Sequence, residues 1–248
     1  MTFQSHSEKY HYVNHMFARI AHRYDLMNRV MTMGRDRRWR EILIEQADLP
    51  PQGRLLDLAT GTGDIAFEAL RQNHHLGHVV GADYTLPMMH VGQERWPAYV
   101  TKTTSPNGTD IKNRLSWSGA DALHLPFPDN TFNAVANGFL MRNVIDVQTA
   151  LAEQVRVCKV GGKVLILEIP RPPDTLFGNL FRLYFHNIVP IIGGFITGQR
   201  DAYTYLPASA DAFLSPQELK IEMEKAGLHA VHYTMMMMNT VALHVGTK

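Results

Sequence analysis

From residue 54 onward, short apolar runs alternate with amphipathic stretches along the chain. The runs RLLDLA, HVVGAD and FNAVANGF predict β-strands, and a stretch with apolar side chains at helical spacing follows each of them. The run RLSWSGA predicts a weaker strand, the third along the chain, between HVVGAD and FNAVANGF. The run GKVLILEI predicts a further central strand, and two more strands are predicted near the C-terminus. Strands that alternate with helices predict an α/β fold in which helices cover both faces of a mostly parallel sheet.

A helical segment precedes the first strand. Apolar residues recur at helical spacing between residues 8 and 31, and a second amphipathic stretch ends before Pro50. We therefore predict an N-terminal helical leader at residues 1–50 that packs on a domain of residues 51–248.

A second helical segment interrupts the domain between Pro170 and Ser215, where the alternation stops. Residues 174–206 are expected to form an apolar helical cover. The most apolar stretch, 176–198, contains proline and several polar residues, whereas a membrane span needs roughly 20 largely uninterrupted apolar residues, so it is not expected to be a span. The polar stretch at 101–113 predicts an exposed loop.

Composition narrows the function classes. Lys and Arg (24) nearly balance Asp and Glu (23), so no global field favours nucleic acid. The single cysteine, Cys158, excludes an internal disulfide framework. His11 and His15 are four residues apart, but no third ligand follows at a suitable spacing, and we expect no metal site.

The segment LLDLATGTGD places a glycine turn between two acidic residues. Gly61, Thr62 and Gly63 join the first predicted strand to a helix that Asp64 opens, and Asp57 ends the apolar run. The spacing loosely matches a dinucleotide fingerprint, which leaves an NAD-dependent oxidoreductase as an alternative. A pyrophosphate at this helix N-terminus would lie beside the Asp64 carboxylate, which would repel it. S-adenosylmethionine carries an ammonium and a sulfonium but no phosphate, so the acids favour this cofactor.

Further candidate residues follow the next three predicted strands. Because the carboxyl ends of parallel strands meet at one edge of the sheet, these residues are expected to lie beside the glycine turn. A carboxylate there can accept hydrogen bonds from ribose hydroxyls, or bracket an adenine edge together with a backbone N–H. Simple helix or turn capping is the alternative for Asp64 and Asp121. The candidates are Asp83 and Tyr84, then Asp121 and Ala122, then Asn137 and Gly138.

Six segments occur in a characteristic order: LLDLATGTGD, GADYTLPMM, GADALHLPFPDNTFNAV, MRNVIDVQTAL, VCKVGGKVLILEIPRP and YTYLPASADAFLSPQELKIEMEKAGL. In these segments the chain resembles the class I methyltransferases of menaquinone and ubiquinone biosynthesis, the demethylmenaquinone / 2-polyprenyl-benzoquinol C-methyltransferases. The stretch FARIAHRYDLMNRVMTMGRDRRWR is similar to the leader of that family. The resemblance implies a Rossmann-like fold with a seven-stranded, mostly parallel sheet that binds S-adenosylmethionine.

The resemblance also implies a role for each candidate in the cofactor site. It assigns cofactor contacts to Thr62, Asp83, Asp121 and Ala122, a loop-shaping role to Asp57, Gly61 and Gly63, and completion of the site to the backbone near Asn137 and Gly138.

Methyl transfer to a ring carbon requires a carbon nucleophile, which forms when a hydroquinol hydroxyl loses its proton. The resemblance implies that Arg142 and Asn143, just beyond the fourth strand, bind and polarise the ring oxygen. Guanidinium is no base at its normal pKa, so Arg142 would stabilise the developing phenolate, directly or through water. A salt bridge at a helix start is the alternative for Arg142. Tyr24, Asp25 and Tyr205 are second-rank catalytic candidates.

The sequence therefore predicts a SAM-dependent C-methyltransferase that acts on a ring carbon of a prenylated quinol, either demethylmenaquinol or a related polyprenyl benzoquinol. A soluble aromatic or natural-product acceptor is the alternative, and a catalytically silent SAM-binding protein is another. We expect a cytoplasmic protein without a nucleic-acid partner. Peripheral contact with the inner face of the membrane and a homodimer are both left open.

Overall fold

Seven strands form one mixed sheet at the centre of the fold. The computed structural model describes residues 6–103 and 111–248. The strands are β1 (Arg54–Leu58), β2 (His78–Asp83), β3 (Leu115–Gly119), β4 (Phe132–Gly138), β5 (Cys158–Glu168), β6 (His229–Met236) and β7 (Val241–Thr247). Their spatial order is β3-β2-β1-β4-β5-β7-β6, with β1 to β5 parallel and β7 antiparallel to both of its neighbours. The predicted seven-stranded, mostly parallel sheet is confirmed.

Helices connect the strands and extend before and beside them. They are α1 (His6–Met31), α2 (Asp36–Ala47), α3 (Asp64–Gln72), α4 (Leu86–Thr103), α5 (Val147–Val157), α6 (Leu176–Asn187), α7 (Val189–Thr197), α8 (Arg200–Asp211) and α9 (Pro216–Lys225). The helix α9 begins with a capping box, in which the Ser215 side chain accepts from the Glu218 N–H and the Glu218 carboxylate accepts from the Ser215 N–H.

Both faces of the sheet are buried, which explains why its strands read as continuous apolar runs. Successive side chains of a strand point to opposite faces, and Leu55 and Leu56 of β1 are both fully buried. Leu55 belongs to a core with Leu43 of α2, while Leu56 belongs to a core with Leu151 of α5 and Met223 of α9. Helices therefore cover both faces, as predicted.

A third apolar core joins α1 to the helices after β5. Met16 and Ile20 of α1 pack with Phe185 of α6, Val189 of α7 and Tyr203 of α8. These helices bury their side chains mainly against one another, so α1 and α6–α8 hold a common position above the sheet.

The strand order creates a crevice at the carboxyl ends of the parallel strands. β1 lies between β2 and β4, so the chain first runs to one side of β1 and later returns to the other. In open α/β sheets ligands bind at such a reversal. Asp83, Gly138 and Glu168, the last residues of β2, β4 and β5, all lie at this edge.

The loop predicted at residues 101–113 begins later in the structure than the sequence indicated. The helix α4 continues through Pro97 to Thr103, and so includes the first three residues of the predicted loop. Its part at 104–110 lies outside the described residues, and Ile111 beyond it is buried.

The segment Leu176–Thr197 is long and apolar enough, by length and composition alone, to cross a membrane, which by itself is weak evidence. In the structure it forms two helices, α6 of 12 residues and α7 of 9, which share Ile188 as a boundary.

Candidate active site

The glycine turn after β1 is held by a buried carboxylate beneath it. Asp57 is fully buried, and its Oδ2 accepts from the Thr60 hydroxyl at 2.6 Å and from the Ala66 N–H at 3.0 Å. One oxygen thus ties the end of β1 to the turn and to the first turn of α3. Burial, opposed by these two hydrogen bonds and reinforced by the charge of Asp83, raises the pKa of Asp57 to about 7.

A second carboxylate holds the turn from the side. Asp83 accepts from the Gly61 N–H at 2.8 Å with one oxygen and from the Thr85 N–H at 2.7 Å with the other. Burial raises the pKa of Asp83 to about 6, although its backbone hydrogen bonds oppose the shift. Gly61 (φ 56°) and Gly63 (φ 89°) have left-handed backbones, and a Cβ on Gly63 would lie 2.8 Å from Trp117.

An open cleft lies above this turn, at the carboxyl edge of the sheet. Its wall combines acidic, basic and apolar side chains. The rings of Tyr10 and Tyr84 lie 4.4 Å apart, centroid to centroid. The lining includes Tyr10, Asn14, Phe17, Tyr24, Arg40, Gly61, Thr62, Asp64, Ile65, Asp83, Tyr84, Met88, Asp121, Ala122, Gly138, Phe139 and Asn143.

An ion-pair network joins the glycine turn to the leader helix. Asp25 of α1 accepts from the Thr62 hydroxyl at 2.6 Å and pairs with Arg95 at 2.7 Å. Arg95 also pairs with Asp64 at 2.7 Å, and Arg40 reaches the same carboxylate at 3.2 Å. Burial alone would raise the pKa of Asp64, but the two guanidinium groups hold it below its ordinary value.

The two guanidinium groups of this network alter the net charge at the N-terminus of α3 from the one that the sequence indicated. Asp64 was expected to present an uncompensated charge to a ligand, but Arg40 and Arg95 balance it. Repulsion of phosphate by Asp64 is therefore weaker than the sequence indicated. Arg40 also lines the cleft, where its guanidinium can bind a ligand carboxylate.

A second cavity adjoins the cleft. The two spaces share Phe17, Tyr24 and Phe139 in their walls, so these aromatic side chains stand between them. The second cavity is mostly apolar and lies between α1 and the helices α6 and α8. Its other lining residues include Met16, Ile20, Asn28, Met31, Arg142, Phe181, Tyr184, Phe185, Tyr203, Tyr205 and Leu206.

Arg142 lies in the wall of the second cavity rather than in the cleft. Its guanidinium forms a buried ion pair with Glu168, the last residue of β5, and the Glu168 carboxylate also accepts from the Arg142 backbone N–H at 3.2 Å. The Arg142 Nε is buried and has no hydrogen-bond partner among the described residues. The ion pair matches the alternative considered for Arg142, but it leaves one N–H available to a ligand.

Asn143 connects the two spaces. Its side chain lines the cleft, donates to the Phe139 carbonyl at 2.9 Å, and accepts at Oδ1 from the Tyr205 hydroxyl at 3.0 Å. Tyr205 lines the second cavity, and burial raises the pKa of its phenol to about 12. Burial also raises the pKa of Tyr24. Both phenols are therefore protonated at neutral pH, and the Tyr205 hydroxyl is the donor to Asn143.

The structure sorts the candidates from the sequence into three places. Those in the cleft wall are Tyr24, Gly61, Thr62, Asp83, Tyr84, Asp121, Ala122, Gly138 and Asn143, and those in the wall of the second cavity are Tyr24, Arg142 and Tyr205. Beneath or behind the turn lie Asp57 and Gly63, with Asp25 in the ion-pair network. The Asn137 side chain points away from the cleft and donates to Gln154 Oε1 at 2.8 Å, because alternate residues of β4 face opposite sides.

Sequence reasoning missed several residues of the site. Glu168 carries the same signal as Asp57 and Asp83, an acid at the carboxyl end of an apolar strand, and could have been found. The leader residues Tyr10, Asn14 and Phe17 carry no such signal, since their place depends on how α1 packs. Among the described residues, no group of three or more His, Cys, Asp or Glu side chains is placed to hold a metal ion.

The fold is that of SAM-dependent methyltransferases. A SAM-dependent methyltransferase from Thermotoga maritima is similar with a TM-score of 0.63 at 17% identity, over 94% of this chain and 98% of that one. Another from Aquifex aeolicus is similar with a TM-score of 0.58 at 15% identity, over 84% and 88%. At such identities the likeness establishes the fold.

Sequence comparison defines the family. The pattern of the ubiE/COQ5 methyltransferase family matches residues 4–248, and the chain belongs to this family of SAM-dependent methyltransferases. It is 41% identical to a "Demethylmenaquinone methyltransferase" of Thermus thermophilus, over 94% of this chain and 100% of that protein. It is 39% identical to a "Ubiquinone/menaquinone biosynthesis C-methyltransferase UbiE" of Desulfotalea psychrophila, over 95% and 90%. The family inferred from the sequence motifs is confirmed.

The raised pKa of Asp57 predicts a characteristic pH dependence of stability. Between about pH 4 and pH 7 the unfolded chain has lost this proton while the folded protein retains it, so stability falls as the pH rises. Above the folded pKa of about 7 both states are ionised and this contribution becomes constant. Relative to Asp57→Asn, wild type should lose roughly 2–4 kcal/mol of unfolding free energy across this window, at ~1.4 kcal/mol per pKa unit.

Urea denaturation at several pH values measures this difference. Asp48→Asn is the matched control, because the Asp48 side chain is 84% exposed. Its curve should run parallel to that of wild type. Parallel curves for Asp57→Asn as well would contradict the assigned ionisation of Asp57.

Proposed function

We propose that this methyltransferase uses S-adenosylmethionine to methylate a ring carbon of a prenylated quinol in quinone biosynthesis. The observation that carries the proposal is the mostly apolar second cavity, which adjoins the cleft across an aromatic wall. One space suits a nucleoside cofactor and the other an apolar acceptor. The names of the relatives from Thermus thermophilus and Desulfotalea psychrophila support the same chemistry.

The donor groups of the cleft fit S-adenosylmethionine, which supplies a methyl group carried on a sulfonium. Asp83, at the end of β2, would accept from ribose hydroxyls, and Asp121 with the backbone of Ala122 would bracket the adenine edge. Arg40 would bind the carboxylate of the methionine end, next to Thr62 and the glycine turn. The apolar side chains of Met88 and Ile65 complete a wall suited to a flat base.

The roles of the remaining candidates follow from their positions. Asp57 and Gly63 shape the turn from beneath, and Gly61 and Gly138 would bring backbone close to the ligand. Tyr84 packs against Tyr10 at the cleft, with the two rings tilted by 57°. Asp25 does not line the cleft, and we assign it to positioning Thr62 and Arg95 rather than to catalysis.

In the second cavity, Arg142 would stabilise the phenolate that develops when the quinol hydroxyl loses its proton. Its free Nε–H can reach a ligand oxygen while Glu168 holds the guanidinium in place. Asn143 and Tyr205 fix the polar end of the cavity. Tyr24 and Tyr205 remain protonated and would not act as bases. The Tyr24 hydroxyl would orient the acceptor by donating a hydrogen bond, whereas the single Tyr205 proton is donated to Asn143 and holds that amide in place.

The proposal also covers the cellular location of the protein and its domain organisation. We place the protein in the cytoplasm with its substrate at the inner face of the membrane, and we regard residues 1–50 as a leader on the domain 51–248, with a cover at 174–206. A homodimer stays a prediction.

Replacement of Arg142 should separate methyl transfer from cofactor binding. Arg142→Ala would leave Glu168 as a buried unpaired charge, which costs about 3–5 kcal/mol, so Arg142→Lys is the better variant. We expect SAM affinity within about twofold of wild type and turnover lower by ~10²-fold, since a donor to the developing oxyanion is lost. Calorimetry with SAM and a methyl-transfer assay measure the two effects.

Arg38→Lys is the matched control, because the Arg38 side chain is 59% exposed and pairs with Glu45 at the surface. It should change neither quantity. Equal losses of SAM affinity and turnover in Arg142→Lys would make Arg142 a structural residue.

A series of quinols with zero to four prenyl units tests the acceptor class. Each buried methylene contributes up to ~0.8 kcal/mol, so KM should fall with the first units and then level off as the second cavity fills. Phe181→Leu should weaken this trend, while Phe177→Leu on the same helix, outside the cavity lining, should not. A series that is flat, or that worsens with each unit, would favour a soluble acceptor and leave methyl transfer itself unaffected.

A further inference from the structure

Large apolar side chains are exposed along one stripe of each of the helices α6 and α7. On α6 the stripe is Leu176, Leu180 and Leu183, spaced four and three residues apart. On α7 the stripe is Ile188, at the boundary of the helix, Ile191 and Phe195, spaced three and four residues apart. Leu183 is 62% exposed and Phe195 is 92% exposed, values unusual for side chains of this size.

The carboxyl-terminal half of α1 carries a matching stripe. Leu26 and Val30 are exposed one turn apart, and Met33 in the following turn is 71% exposed. The Arg23 guanidinium donates to the carbonyl of Ile196, so this half of α1 lies against the end of α7. We call the three stripes together the exposed apolar face.

Basic residues border the exposed apolar face. Residues 8–40 contain eight of the 24 Lys and Arg residues and three of the 23 acidic residues. Five of these cations bind partners within the protein, namely Lys9, Arg19, Arg37, Arg38 and Arg40. Arg23, Arg29, Arg35 and Arg200 are exposed and form no ion pair among the residues that the structure describes. Arg29 lies one turn from both Leu26 and Met33.

We propose that the exposed apolar face, with its basic border, docks this enzyme on an anionic lipid surface. Apolar side chains would enter the boundary between headgroups and acyl chains, while the guanidinium groups pair with phosphates. A second copy of the chain is a poorer occupant, because a twofold interface brings identical patches together and would place these unpaired cations against each other.

Docking in this orientation brings the second cavity to the membrane. The cavity is lined by Met31 of α1 and by Phe181 and Tyr184 of α6, on the same helices that carry the exposed apolar face. An acceptor with an apolar tail could then enter from the bilayer without crossing water. Only this last step rests on the proposed function. Docking itself follows from the exposed apolar side chains and from the charge of the basic residues that border them.

Cosedimentation of the full chain with lipid vesicles tests the proposal. The vesicles contain phosphatidylcholine alone or phosphatidylcholine mixed with phosphatidylglycerol, each at low and high salt. We expect wild type to bind the anionic vesicles more strongly, and salt to weaken this binding. Phe195→Glu and Leu183→Glu should each lower the partition coefficient by ~10-fold or more, and the double variant Arg29→Gln/Arg35→Gln should abolish most of the anionic preference.

Val160→Glu is the matched control, because Val160 is 82% exposed near the amino end of β5, away from this face. It should bind vesicles like wild type. All variants should methylate an unprenylated quinol in solution normally, which separates a failure of docking from a failure of the proposed function. Unchanged vesicle binding in Phe195→Glu and Leu183→Glu would overturn the proposal, and so would a conversion of dimer to monomer as their only effect.

Discussion

The fold of the candidate site depends on one buried carboxylate, Asp57, and on the two hydrogen bonds that it accepts. Its oxygen holds the Thr60 hydroxyl and the Ala66 N–H, so the end of β1, the glycine turn and the start of α3 form one rigid unit. The position of Thr62 follows, and the Thr62 hydroxyl in turn binds Asp25 on the leader helix. The hydrogen bonds that Asp57 accepts beneath the turn thus act, through Thr62 and Asp25, on the position of the leader helix α1, which forms part of the wall between the two cavities.

The acids around the turn fall into two groups that differ in their partners. Asp25 and Asp64 pair with guanidinium groups and bind the leader to the turn. Asp57 and Asp83 accept hydrogen bonds from neutral groups, a threonine hydroxyl and backbone N–H groups. Burial raises the pKa of each carboxyl. A cationic ligand would favour ionisation of the second group, so those two carboxylates link ligand charge to the shape of the turn. This arrangement suits a nucleoside cation better than a pyrophosphate, even though Asp64 itself is neutralised.

The strands, the connecting helices and the glycine turn were predictable because their signals are local. Apolar runs of five to eight residues, ending in an acid or a glycine, marked β1, β2 and β4 and placed Asp83 and Gly138 correctly at the carboxyl edge. The surroundings of Arg142 were not predictable, since its partner Glu168 lies 26 residues away and meets it only in the folded sheet. Nor could the second cavity be foreseen, because it forms where α1 packs against helices more than 150 residues later. For the same reason the sequence could not show that Asp25 contacts Arg95 and Thr62.

The central claim is that Asp83 serves the turn and a nucleoside cation at the same time. The most direct test is calorimetric titration of wild type and Asp83→Asn with S-adenosylmethionine and with NAD. Asparagine is the better replacement because its amide oxygen can still accept from the Gly61 N–H, whereas alanine would leave the N–H groups of Gly61 and Thr85 unpaired. The account predicts that wild type binds S-adenosylmethionine but not NAD, and that the variant stays folded and binds S-adenosylmethionine about 1.5–3 kcal/mol more weakly, the scale of a hydrogen bond to a charged acceptor. Unchanged affinity in Asp83→Asn, or preferential binding of NAD to wild type, would contradict it.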